Sequence, residues 1–471
     1  RVRPAIRNSG YEYPPKRTVI NLSPAALRKR GSSFDLPIAA AILSALGKIP
    51  PGTSEDCLII GELSLNGRVG KVPGILPMVM EAAAHGIRRC VVPAENASEG
   101  ALVKGVEIIG VNSLKEAADY LLGERCKEVK RQSANRKSIG ETPGSILDGS
   151  GNIPDFSQLQ GQENVRRAAE IAVAGGHNML MIGPPGSGKS MLAKRLPGIL
   201  PPMSVEETLE TSRIHSVLGL LTSSAPLMRR RPFRSPHHTV SDAGLLGGGT
   251  NPQPGEISLA HNGVLFLAEL PEFRRIVLEV LRQPIENGTV TLSRAAGSFQ
   301  FPCRFLLIAA MNPCPCGHLG DRRHRCTCRS LQIQQYKAKI SGPLLDRIDL
   351  HIEVPALTDD ELLARNAAES SATIRERVLK ARRMQTARFG ESSPIRCNAM
   401  MESSHLAKFC VMDAPLQTLL RHAIQEFGLS ARAYDRILRV ARTIADLAGS
   451  EAIRREHLFE AIGYRSFDRR N

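Results

Sequence analysis

Tryptophan is absent from the 471 residues, and the aromatic share is only 4%. The core must therefore be built from Leu, Ile, Val and Ala, as in α/β domains and helical bundles. No apolar run approaches the roughly 20 residues needed to cross a bilayer, and no secretory leader is evident, so no membrane partner is expected. The cysteines do not form a disulfide framework. Cys57, Cys90, Cys126, Cys303, Cys397 and Cys410 are scattered, whereas Cys314, Cys316, Cys326 and Cys328 cluster, a usage that fits a reducing cytoplasm. Acidic charge is also short. Against 62 Lys and Arg stand 46 Asp and Glu, giving +16 and a pI of about 9.7. That balance favours polyanionic partners such as nucleic acid, although a solvated basic surface would give the same number.

The length exceeds one ordinary core and predicts two or three domains. The first residue is Arg1 rather than Met, and a further N-terminal piece is expected. From Arg1 to about Arg125, short apolar runs (Thr18–Leu22, Cys57–Ile60, Cys90–Val92, Val106–Val111) alternate with helical patterns, clearest at Asp35–Leu46 and Ile75–Ala84. This is an α+β pattern over 1–125. Residues 126–155 are polar, basic and rich in Gly, Ser and Pro, and read as a linker. Residues 156–357 carry buried strands at Asn178–Ile182, Gly263–Leu267 and Phe305–Ala310, expected to lie parallel with both faces covered. Residues 358–471 are almost wholly helical, with the best periodicity at Leu416–Phe427, Ala433–Leu447 and Arg455–Ile462.

What the chain does contain is MLMIGPPGSGKS, Met179–Ser190, an apolar strand breaking into G-x-x-x-x-G-K-[ST]. In Gly183, Pro184, Pro185, Gly186, Ser187 and Gly188 the glycines let backbone N–H groups close around phosphate oxygens; Lys189 reaches the β and γ phosphates, and Ser190 ligates Mg²⁺. The helix that follows turns its positive end toward the phosphates. Downstream, GVLFLAELPEF (Gly263–Phe273) is a strand whose end should present two acids. Glu269 can polarise the attacking water, but Ala268 occupies the position that should hold Mg²⁺. Nucleotide binding is expected to survive and turnover to be slow.

Two resemblances follow. RKRGSSFDLPIAAAILSAL and GELSLNGRVGKVPGILPMVMEAAAHGIRRCVVPAEN resemble the Lon-type protease segments that carry a nucleophilic serine and its lysine. Ser33 falls at the serine position, but Leu76 stands where the lysine should be and cannot act as a base. Lys71 precedes that position and reads as a surface charge. The domain is expected to keep the fold without peptidase activity, as a docking or assembly module. Further on, HNGVLFLAELPEF, RQPIENGTVTLSRAAGSFQFPCRF, LLIAAMNPCPCG, ISGPLLDRIDLHIEVP and GLSARAYDRILRVARTIADLAG closely resemble the magnesium-chelatase-like AAA+ proteins of the ComM/YifB type. The resemblance implies an AAA+ P-loop core with a C-terminal helical lid behind the Lon-like domain. It also implies a ring, expected to be a hexamer, that hydrolyses ATP with Mg²⁺ and works on DNA branch migration in recombination and natural transformation, alongside other recombination proteins. By position, Asn312 resembles the sensor that orients the lytic water, Arg347 the finger reaching a neighbouring subunit's γ-phosphate, and Arg432 the lid arginine. A guanidinium suits the last two roles because it offsets charge developing on transferring phosphoryl oxygens.

Glu286–Pro302 reads as a hairpin joined near Arg294–Gly297, and in ring ATPases of this clade such a hairpin points into the channel. Arg294 is therefore the candidate DNA-phosphate contact. The Gly- and Pro-rich stretch from Arg229 to Glu256 is a second channel candidate, with Arg234, His237 and His238 as weaker contacts. Cys314, Cys316, Cys326 and Cys328 could enclose Zn²⁺, although C-x-C spacing strains adjacent ligands and His318 or His324 could substitute. The leading expectation is a DNA motor. A chelatase-like subunit that remodels a protein partner or aids metal insertion is the alternative, and Leu76 argues against a serine–lysine peptidase.

Overall fold

The computed structural model describes all residues except 14, 16, 24–28, 30, 124–129, 133–152, 250–251, 295–296, 322–323, 358–367, 392, 429 and 466–471, together with the side chains of 130–132 and 294. The chain divides into two compact units, residues 1–149 with 203–229, and 150–202 with 230–471.

In the first unit a sheet runs in the order Cys57–Ile59, Arg89–Pro93, Glu107–Val111, Lys130–Gln132. The first three strands are parallel and the last antiparallel. Part of the expected linker thus adds a strand to this sheet. Successive residues point to opposite faces. Val91, Ile109 and Val111 join Leu36, Leu43 and Leu114 from the helices Asp35–Ala45 and Leu114–Leu121. Cys90, Val92 and Ile108 join Ile75 and Val79 of the helix Ile75–Ala84 on the other side. The expected strand at Thr18–Leu22 does not form: the segment pairs with no described strand, and Val19 is 82% exposed. Its apolar residues form a short run in sequence, but no sheet neighbour covers them among the described residues.

Residues 203–229 lie in sequence between the two ATP motifs, within the stretch read as the ATPase core, yet they pack with the first unit. The helix Val205–Val217 starts at a capping box in which Ser204 and Glu207 satisfy each other's backbone N–H. Its Leu209, together with Leu227, closes over Leu76, Met80 and Leu102.

The second unit holds a five-stranded, wholly parallel sheet ordered Leu350–Glu353, Met179–Ile182, Leu306–Met311, Val264–Leu267, Phe233–Arg234. Its three central strands are buried at every position, as continuous apolar runs in a doubly covered sheet require. Met179, Met181, Val264, Phe266, Ile308 and Ala310 face one core, which also takes in the helices Glu163–Gly175, Ser371–Phe389, Ala414–Phe427, Ala431–Leu447 and Arg455–Gly463. Leu180, Ile182, Leu265, Leu267, Leu307 and Met311 face the other core. The C-terminal helices are capped as their sequences suggest, by Ser370, Asp413 and Ser430, each side chain accepting a first-turn N–H.

Candidate functional site

The phosphate-loop strand Met179–Ile182 and the sensor strand Leu306–Met311 are hydrogen-bonded neighbours, with Met311 level with Ile182. One residue further, the Gly183 N–H donates to the Met311 carbonyl at 3.2 Å, which brings Asn312 to the mouth of the loop. A Cβ on Gly183 would sit 2.1 Å from the Val354 carbonyl oxygen, so only glycine fits. Gly188 takes φ 86° and opens the helix Lys189–Arg195, with Ser190 exposed in its first turn. The Lys189 ammonium donates to the carbonyls of Gly183 (2.6 Å) and Pro184 (2.7 Å), and burial pushes its pKa down to about 8. Gln162, itself left-handed at φ 52°, braces the loop by donating to the Ser187 carbonyl at 2.8 Å and that of Pro355 at 3.0 Å.

The acidic strand Val264–Leu267 pairs with the sensor strand on its other side. Its end carries Ala268, partly buried against the core, and then Glu269 at φ 56°, a conformation that costs a non-glycine residue strain and turns the carboxylate outward, 60% exposed. A Mg²⁺ carried with ATP would find the Ser190 hydroxyl as a ligand here, while Ala268 would add no oxygen. His238 lies with Nδ1 3.3 Å from Glu269 Oε2 and packs edge-on to Phe273. Sequence reasoning ranked His238 as a DNA contact; the structure puts it against the carboxylate that should polarise water. Arg234, also ranked for DNA, is held bidentate by Glu256 at 2.6 Å and 2.6 Å, and His237 is exposed with Nδ1 2.9 Å from the Thr239 hydroxyl.

Arg347 is buried. It pairs with Glu286 at 2.5 Å and donates to the Pro343 carbonyl at 2.6 Å, so within one chain its guanidinium is already engaged. Arg432 is exposed in the first turn of the helix Ala431–Leu447. One turn on, Arg436 is partly buried and pairs with Asp349 at 2.5 Å, and the other Asp349 oxygen accepts the Asn178 N–H at 2.9 Å. Burial would raise the Asp349 pKa, yet Arg436 and His177 hold it well below the usual carboxylate range. Arg436, which sequence reasoning passed over, is thus the lid-helix arginine tied to the root of the phosphate-loop strand. Its i, i+4 relation to Arg432 on one helix was the available signal.

The hairpin forms as expected, Thr289–Arg294 against Gly297–Pro302, with Arg294 opposite Gly297. Val290, Leu292 and Phe301 anchor its base in the core. The Arg294 side chain lies outside the described residues.

Sulfur–sulfur distances are 3.4 Å for Cys314 to Cys316, 3.7 Å for Cys314 to Cys326 and 3.6 Å for Cys316 to Cys326. Cys328 Sγ joins them within 4.8 Å and accepts the Cys316 N–H. A tetrahedral zinc with bonds of about 2.3 Å separates its sulfurs by about 3.8 Å, so the four thiols fit the ion despite the C-x-C spacing. Burial pushes the Cys314 thiol up to about 12, whereas N–H donors from His318 and Thr327 bring Cys316 down to about 5. A Cβ on Gly317 would lie 2.6 Å from a Pro185 ring carbon, so this loop rests on the phosphate loop.

In the first unit Ser33 lies half-buried in a single turn, Ser32–Phe34. Leu76 is fully buried, and its N–H is shared between Glu99 (3.1 Å) and the Ser216 hydroxyl (3.3 Å). Lys71 is no free surface charge: its ammonium donates to the carbonyls of Leu221 (2.6 Å) and Gly219 (3.4 Å) in the inserted segment.

The family pattern described as Magnesium chelatase, subunit ChlI, matches residues 155–362; its C-terminal pattern matches 368–465, and the pattern Subunit ChlI of Mg-chelatase matches 1–96. The chain is 43% identical to the uncharacterized protein YifB of Escherichia coli K12 over all of its own length and 89% of that protein. It is 42% identical to competence protein ComM of Haemophilus influenzae with the same coverage. Lon protease 2 of Bacillus subtilis is 34% identical over 21% of this chain and 18% of its own. With a phosphate-loop sequence, Glu269 and Asn312 at adjacent strand ends of one parallel sheet, and with YifB and ComM matching along its whole length, the chain belongs to the ComM/YifB-type, magnesium-chelatase-like AAA+ ATPases.

Proposed function

We propose that the chain is one protomer of a ring, in the expected state a hexamer, that spends ATP to move along DNA and promote branch migration in recombination and natural transformation. The observation that carries the reading is the hairpin Thr289–Pro302. It is anchored in the ATPase core immediately before the sensor strand, in a chain 42% identical to a protein named for competence. Such a hairpin delivers Arg294 to a phosphate backbone while its base moves with the nucleotide site. The excess of basic residues supports the same partner. The cytoplasm is where that partner is found.

In this reading residues 183–190 hold the phosphates, with Lys189 leaving the Gly183 and Pro184 carbonyls for phosphate oxygens. Glu269 takes a proton from the attacking water, oriented by Asn312. Arg347 serves the neighbouring protomer, which requires Glu286 to release it, and Arg432 senses nucleotide from the lid. Four-thiol zinc fixes the loop that rests on Pro185. The first unit acts as an assembly module, since Leu76 and the carbonyl-bound Lys71 leave Ser33 without a base.

The three chelatase-named patterns favour a second reading, a subunit that remodels a protein partner or aids metal insertion. DNA binding separates the two. With an ATP analogue present, a synthetic branched DNA should bind with an affinity that falls steeply with salt, and Arg294→Ala should weaken it and lower the log–log salt slope by about 1. Absence of binding to any DNA form at low salt would overturn the motor reading in favour of the second. Metal analysis of chelator-free protein tests the zinc.

A further inference from the structure

We propose that the hairpin Thr289–Pro302 is a platform for unpaired nucleic-acid bases, with Phe299 as the ring on which a base stacks. The inference rests on the DNA reading of this hairpin and adds the form of strand it takes, single-stranded rather than duplex. In the antiparallel register Leu292 stands opposite Phe299 and Val290 opposite Phe301, and opposed residues share a face. Val290 and Leu292 are buried, and Phe301 packs against the same core. Phe299, the next residue along that face toward the turn, stays 37% exposed. The other face carries Thr291, Ser293, Ser298 and Gln300, all exposed. The Phe299 ring reaches toward the turn, since a Cβ on Gly297 would lie 4.0 Å from its Cε2, and Gly297 is the register partner of Arg294.

Packing beside Leu292 accounts for the covered part of the ring but not for the exposed part. Elsewhere this aromatic-poor chain hides its rings. Among the described Phe and Tyr residues only Phe299 and Phe459 are exposed, and the Phe459 ring lies beneath the Arg455 guanidinium at 5.2 Å. No ring or cation among the described residues stacks on Phe299 in the same way.

Charge selects the occupant. From Thr289 to Pro302 the sequence holds one charged residue, Arg294, and no acid, in a chain with 46 Asp and Glu. A lone cation position close to an exposed ring suits a ligand that alternates anions with flat uncharged faces, as a single strand does. A duplex covers its base faces by its own stacking, and opening them costs energy at each step. Stacking on one ring is also tolerant of sequence, because every base has a π-face.

The experiment measures equilibrium binding of the full chain, with an ATP analogue present, to an oligothymidylate, an abasic oligonucleotide of equal length and a blunt duplex. The chain as it stands should bind oligothymidylate at least about fivefold more tightly than the abasic strand, the low end for one stacked base. Phe299→Leu, which keeps an apolar side chain beside Leu292, should remove that preference and leave abasic and duplex binding unchanged. Phe299→Tyr, which keeps the π-face, should retain it, and Arg294→Ala should weaken oligothymidylate and abasic strand alike. A preference that survives Phe299→Leu would overturn the inference. So would equal losses on all three probes, the mark of a folding or subunit-contact role, and a loss confined to the duplex, the mark of a wedge between paired bases. No binding of any probe at low salt would overturn the DNA reading and this inference with it, whereas binding that Phe299→Leu does not alter would overturn this inference alone.

Discussion

Ala268 follows the strand Val264–Leu267 and offers a methyl group where the resemblance leads one to expect a carboxylate oxygen. Restoring the oxygen with Ala268→Asp should raise steady-state ATPase turnover at least about tenfold, equivalent to ~1.4 kcal/mol off the barrier, with a smaller effect on nucleotide affinity. Equal rates would show that the shell is completed elsewhere. Lys189 gives a second test. Burial lowers its pKa to about 8 in the nucleotide-free loop, while bound phosphates favour the charged ammonium. Nucleotide binding above pH of about 8 should therefore take up a proton, and affinity should fall as pH rises through that value. Calorimetry in buffers of different ionisation heat measures the uptake, and Lys189→Met should abolish it. At this scale the sequence was most legible where a motif fixes residue type and spacing, as at 183–190. It was least legible where a polar side chain chooses among partners far away in the chain: Arg234 takes Glu256, His238 takes Glu269, and Arg347 takes Glu286.

Periodicity located the three central strands of the second sheet, which are continuous apolar runs, and the helix Ala431–Leu447, which has an apolar stripe and a serine cap. Periodicity does not state which core an amphipathic helix joins. The helix Val205–Val217 follows the phosphate-loop helix in sequence and reads as part of the ATPase core, yet its apolar side and Ser216 are satisfied by the first unit. Lon-like pattern reasoning found Leu76 but not its consequence. In place of a catalytic ammonium, an apolar side chain receives this inserted segment, and the N–H of Leu76 meets Glu99 and Ser216. Leu76→Ala should cost the first unit about 2–4 kcal/mol, measured by denaturant unfolding, because it opens a cavity among Met80, Leu102, Leu209 and Leu227. A loss below about 0.5 kcal/mol, the range of surface substitutions, would mean that the segment does not depend on this pocket.

For the whole molecule the chain joins its two units at more than one point. It leaves the first unit near residue 149, returns with 203–229, and re-enters the second at 230. Residues 203–229, which lie in sequence between the two ATP motifs, thus belong to the first unit's core, and in the proposed motor the hairpin beside the strand Leu306–Met311 is the element that contacts the polymer. In that proposal the formal charge of +16 favours association with a polyanion. The most direct test is branch migration of a synthetic four-way junction with ATP and Mg²⁺. The account predicts slow, ATP-dependent strand exchange by the chain as it stands, faster exchange with Ala268→Asp, and loss of that gain when Arg294→Ala is added. An Ala268→Asp protein that hydrolyses ATP briskly, binds the junction and leaves it unmigrated would contradict it.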